Sequence, residues 1–130
     1  MSIVGIGIDL CEVARMTRLL DRHGARAVAR LCREGEADRS RVALDQHLAG
    51  LFAAKEAVLK ALGTGWAQGT SFRQVEVTRR PGGAPDVRLH DEAATRAAAL
   101  GVGRILLSIT HEGGFAAAVA VLEEERGDVR

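Results

Sequence analysis

A mixed α+β domain is the fold this sequence predicts: one compact unit, with a mostly antiparallel sheet of about four to five strands packed around a long central helix. Three observations point there. A helical period of apolar residues runs through the middle of the chain, from about residue 42 or 43 to residue 62. Segments of alternating, often β-branched residues lie before and after it. Two glycine-rich turns join neighbouring strands as hairpins, and the order strand, helices, hairpin, helix, hairpin lacks the regular alternation of a doubly wound sheet.

The first strand is expected over residues 3–8, where isoleucines alternate with Gly5 and Gly7. One of its faces is therefore bare backbone, and another element must lie close against it. Asp9 ends the strand and, with Glu12 three residues on, matches an acidic N-cap with Glu at the third helical position. A helix over residues 12–23 follows, with Val13, Met16, Leu19 and Leu20 inward, stopped by Gly24. Arg26, Arg30 and Arg33 mark a second, short helix, and residues 35–40 form a charged connection without apolar period, expected to be mobile.

In the central helix, Leu48, Phe52, Leu59 and Leu62 make one apolar stripe, while Ala53, Ala54, Ala57 and Ala61 make a second, small-residue face. A helix of this kind is covered on both sides. Gly50 lowers its propensity by about 1 kcal/mol relative to Ala and marks a kink or a close contact. Residues 72–79 alternate as a half-buried strand, Pro81-Gly82-Gly83 turns the chain, and residues 85–89 return as its partner. Residues 91–100 form an Ala-rich helix between Asp91 and Gly101. Residues 104–110 and 115–122 are apolar strands joined by His111-Glu112-Gly113-Gly114, so the domain is expected over residues 1–122, with 123–130 a charged tail that frays.

With 130 residues, 47% of them hydrophobic and 27% charged, the chain suits a single modest core. Three Phe, one Trp and no Tyr leave little to stack on bases, and a net charge of +1 gives no global pull toward nucleic acid. No segment reaches the roughly 18–20 apolar residues of a membrane span. The apolar start meets Asp9 too early, and lacks the basic leader, for a signal peptide. Cys11 and Cys32 have no metal-type spacing and read as packing residues in a reducing, cytoplasmic compartment.

The charged residues carry the chemistry. Glu56 and Lys60, four apart beside the Phe52 stripe, are either a helix-surface ion pair or part of a site. Asp9 is either a helix cap or a ligand; together, Asp9 and Glu56 are hard oxygen donors suited to Mg²⁺, which takes one or two carboxylates and fills its other positions with water and phosphates. Gly63-Thr64-Gly65 is either a helix stop or a turn that lets phosphate approach the backbone, and it lacks the GK[ST] ending of a P-loop. Arg15, Arg18 and Arg22 recur at three- and four-residue steps as a basic ridge, either a solvated face or a dock for an acidic surface.

Three blocks in this order, GIGIDLCEVARM (residues 5–16), FAAKEAVLKALGTG (52–65) and SITHEGGFAAAVAV (108–121), resemble the signature blocks of the holo-acyl-carrier-protein synthases, small members of the phosphopantetheinyl transferase superfamily. The resemblance spans nearly the whole chain. It implies Mg²⁺-dependent transfer of 4′-phosphopantetheine from coenzyme A to a serine of an apo acyl carrier protein, with release of adenosine 3′,5′-bisphosphate. It implies further that Asp9 and Glu56 hold the metal, that Lys60 acts at the reacting phosphate, and that Lys60, Gly63, Thr64, Gly65 and His111 line the coenzyme site. Arg15, with Arg18 and Arg22 beside it, would dock the acidic carrier, and a homotrimer with sites between protomers would cover the alanine face of the central helix. Either Glu56 or a metal-bound water would take the serine proton.

Two departures from the family pattern remove a cation each: Leu51 stands where Arg is common, and Ala84 stands in the Gly-Lys-Pro of the middle hairpin. They motivate an alternative, a catalytically weakened carrier-binding module of the same fold. A phosphoanhydride hydrolase using water in place of serine is a third reading.

Overall fold

The computed structural model describes residues 2–37, 42–65 and 69–126. The chain runs β1 (Ile3–Glu12), α1 (Val13–His23), α2 (Ala25–Leu31), α3 (Leu44–Leu62), a 3-10 turn (Phe72–Gln74), β2 (Val75–Arg79), β3 (Pro85–Leu89), α4 (Asp91–Leu100), β4 (Val102–Glu112) and β5 (Phe115–Glu124). All strands pair antiparallel, in a three-stranded sheet ordered β1-β5-β4 and a separate β2-β3 hairpin. The five strands are those expected, divided between two sheets.

The helix α3 lies at the centre, with residues 48–55 and 57–59 all buried. Its alanine face is covered by the chain's own sheet. A Cβ at Gly7 would overlap the Ala57 carbonyl and one at Gly5 the Ala61 carbonyl, so these glycines are what lets β1 lie directly on α3. Ala116, Ala118 and Ala120 of β5 press on the same side and are buried. No second copy is needed to cover the alanines, contrary to the expectation from kinship. The opposite stripe carries Phe52, whose ring meets Phe72 at 5.1 Å between centroids, while Met16 of α1 and Val75 of β2 are fully buried.

Several boundaries differ from the sequence reading for identifiable reasons. The strand β1 continues through Asp9 to Glu12 because β5 offers partners as far as Phe115; Glu12, not Asp9, precedes α1, and it makes no side-chain cap. Arg33 lies past the end of α2, with its guanidinium donating to the Arg73 carbonyl at 2.7 Å. Residues 72–74 coil as a 3-10 turn before β2 begins. The last strand extends to Glu124, and Glu123 pairs with Ile3 and Arg104, so these two acidic residues belong to the sheet rather than to a fraying tail.

The charged connection after α2 is anchored. Glu36, 1% exposed at its side chain, meets fully buried Lys55 at 2.9 Å and accepts the N–H of Arg33 at 2.6 Å and of Val77 at 2.8 Å. Lys55 also donates to the carbonyls of Phe72 at 3.0 Å and Val75 at 2.6 Å. Every charge in this node has partners, the condition for tolerating an ion pair in a core. Residues 38–40 of that connection fall outside the described residues.

Candidate active site

Glu56, Lys60 and Gly63 occupy positions i, i+4 and i+7 of α3 and so share one face. Because the glycines bring β1 against that helix, the strand delivers Asp9 to the same place. Lys60 Nζ donates to Asp9 Oδ1 at 2.9 Å and to the Ile8 carbonyl at 3.1 Å. Lys60 therefore bridges helix to strand, and the intrahelical Glu56–Lys60 pair suggested by spacing is not formed. The carboxylate beside it holds the Lys60 ammonium above its ordinary value, chiefly through this hydrogen bond.

Asp9 Oδ2 and Glu56 Oε1 are buried oxygens without a hydrogen-bond partner among the described residues. Burial pushes the Glu56 carboxyl up from its ordinary 4.5, the Asp9 charge adds to that, and Lys60 and Arg15 pull it back. Two carboxylates that repel each other and leave one buried oxygen apiece form a pair that a cation would satisfy. Among the described residues no group of three or more His, Cys, Asp or Glu gathers as a cage. That donor set does not suit zinc, which takes three or four protein ligands, and it fits Mg²⁺, which needs only one or two carboxylates.

The glycine turn after α3 behaves as a helix stop. Gly63 adopts φ 77° and its N–H bonds back to Leu59 and Lys60, while the N–H groups of Thr64 and Gly65 bond to the Leu59 carbonyl at 3.2 and 3.4 Å. Its backbone donors are thus engaged by the helix end, and the open phosphate cradle that glycine suggested is not present. His111 lies on exposed β4, away from this turn in sequence but tied to the N-terminal part of α3, where Nε2–H donates to the Gln46 carbonyl at 3.0 Å. The close contact expected at Gly50 is with this ring, 3.1 Å from where a Cβ would stand.

On α1, Arg15 lies over the Phe52 ring at 4.8 Å, Arg18 faces Glu12 at 3.6 Å, and Arg22 is exposed in the last turn. Arg15, Arg26 and Arg30 rim a groove of about 540 Å³ whose floor includes Leu19, Phe52 and Phe72. The arginine ridge was legible in the sequence but this floor was not, because it depends on α1 folding over α3 and α2 against the 3-10 turn. Leu51, in place of the common arginine, is 3% exposed and belongs to the core. Near Ala84, Arg79 and Arg80 supply cations, although Arg79 donates to the Gly83 carbonyl and Arg80 faces Asp86.

A strand-borne aspartate meeting a helix-borne acid and lysine, in a small antiparallel α+β frame, matches a known class: the family model for the 4′-phosphopantetheinyl transferase superfamily covers residues 5–120. The chain belongs to that superfamily, in its holo-acyl-carrier-protein synthase family. It is 42% identical over 126 residues to the holo-[acyl-carrier-protein] synthase of Maridesulfovibrio salexigens, covering 94% of this chain and 99% of that one. Its fold superposes on the crystal structure of the synthase from Neisseria meningitidis with a TM-score of 0.86 at 30% identity, over 95% of this chain and 100% of the other. The Helicobacter pylori synthase, solved in complex with coenzyme A, gives 0.77 at 30% identity over 91% and 99%.

Proposed function

We propose that this chain transfers the 4′-phosphopantetheine group of coenzyme A to the serine hydroxyl of an apo acyl carrier protein. The observation that carries the reading is the pair of buried oxygens on Asp9 and Glu56 without partners among the described residues, in mutually repelling carboxylates beside Lys60, in a fold whose relatives are named as synthases of this kind. Asp9 and Glu56 would hold Mg²⁺, which when bound neutralises pyrophosphate charge. Lys60, half exposed at 50%, keeps a cation at the mouth of the site, where negative charge builds on the departing bisphosphate. Glu56 is the chain's own acceptor for the serine proton. His111, held by the Gln46 carbonyl, would stand beside the coenzyme.

The acidic carrier docks on the Arg15, Arg18 and Arg22 ridge and the groove beside it, where a basic rim over an apolar floor offers both attraction and burial. A homotrimer accounts for the row Ile3, Ile6, Ile8 and Leu10, which stands 57–68% exposed on the edge strand β1. The chain works in the cytoplasm, a compartment that suits two free, buried cysteines. Among the described residues no helix is long and apolar enough to cross a membrane.

The test is incubation with Mg²⁺, coenzyme A and an apo carrier, followed by mass spectrometry of the carrier. Gain of one phosphopantetheine is expected; no gain across several carriers overturns the reading. Light scattering that returns the mass of one chain would remove the trimer.

A further inference from the structure

We propose that Arg96 is a further substrate-binding residue, one that holds a phosphate group of coenzyme A at the C-terminal end of α3. The inference rests on the transferase reading above. Arg96 reaches across from α4, and its Nε donates to the Leu62 carbonyl at 2.9 Å. Its Nη2 stands 3.4 Å from where a Cβ on Gly63 would be. Gly63 follows Lys60 by three residues, so this nitrogen lies at the end of the helix that carries Lys60 and Glu56.

The electrostatics of the turn require a cation. A helix C-terminus carries partial negative charge, and the N–H groups of residues 63–65 are engaged by Leu59 and Lys60 carbonyls, so the backbone has nothing to offer an anion. Lys60 is paired with Asp9, and Lys55 is buried with Glu36. Arg96 faces no carboxylate within ion-pair distance among the described residues. Among the described residues, capping the helix engages its Nε alone, and the two Nη groups form a fork suited to phosphate oxygens. Gly63, whose positive φ favours glycine, puts no side chain against that fork.

Arg96→Gln keeps an N–H donor for the Leu62 carbonyl and removes the charge; Arg96→Lys keeps the charge and loses the fork. The glutamine variant is expected to melt close to the unaltered protein, to raise the KM and the calorimetric Kd for coenzyme A about tenfold, and to leave the carrier's KM unchanged. The lysine variant should recover part of the loss, a charge dependence that a merely structural cap would not produce. Repeating the titration with 3′-dephospho-coenzyme A identifies the group: a loss with both ligands assigns the pyrophosphate, and a loss with coenzyme A alone assigns the 3′-phosphate. A folded glutamine variant with unchanged Kd, or a lysine variant no better than glutamine, overturns the proposal. Calorimetry keeps the two readings apart. If the unaltered protein binds coenzyme A without transferring it, the transferase reading fails while the arginine is still tested; if it binds none, both fail.

Discussion

Lys55 and Glu56 are consecutive residues of α3, and they do opposite things. Lys55 turns into the interior, where Glu36 and the Phe72 and Val75 carbonyls satisfy it completely. Glu56 turns toward β1, where it meets another carboxylate and is left with an unpartnered buried oxygen. Both positions cost desolvation energy, and only the first recovers it within the chain. The difference separates a charge satisfied by the fold from a mutually repelling pair of acids that a bound cation would satisfy.

Breaking the satisfied side should do the most damage. Lys55→Met leaves Glu36 charged and buried without its counter-ion, and is expected to lower unfolding free energy by about 3–5 kcal/mol in urea titration. Adding Glu36→Gln should restore a good part of that, because the stranded charge is gone. Equal stability for the single and double variants would mean the node is held by its neighbours and not by the pair.

On the unsatisfied side the expected loss is in rate. Asp9→Asn and Glu56→Gln keep shape and remove charge, so each should lower transfer by about 100-fold or more, equivalent to several kcal/mol of lost charge stabilisation. The melting temperature of Glu56→Gln should hold or rise, since a repulsive pair has been relieved, whereas Asp9→Asn also gives up the ion pair with Lys60 and should melt somewhat lower. Full activity in both variants at ordinary Mg²⁺ would return these acids to a structural role.

Smaller effects sharpen the contrast at the rim. Replacing Arg15 and Arg18 by Glu should raise the carrier's KM roughly tenfold at low salt, and less as ionic strength screens the surface. Stopped-flow association rates would show the same salt dependence. The smallest effect concerns a third acid. The hydrogen bond from His90 holds Glu76 below its ordinary 4.5. A depressed carboxyl contributes stability above that value, and loses it as pH falls through the lower folded value. Glu76→Gln should therefore lower stability modestly at neutral pH, flatten the acid limb of the profile, and leave the most acidic end little changed.

Sequence alone determined the parts with short-range causes. The helix α3, its stop at Gly63, both hairpins and the bare face of β1 follow from periodicity, turn residues and alternating glycine, because those depend on neighbours within a few positions. The blocks around Asp9, Glu56, Lys60 and His111 also marked the candidate site. The tertiary structure decided which groups meet. It set Lys60 against Asp9 instead of Glu56, fastened Glu36 to Lys55 across a connection expected to be mobile, and laid Arg96 over Gly63, contacts in which register and strand placement bring together residues 19 to 51 positions apart. Local pattern carries no record of such meetings, since either partner alone looks like an ordinary surface charge until the fold closes.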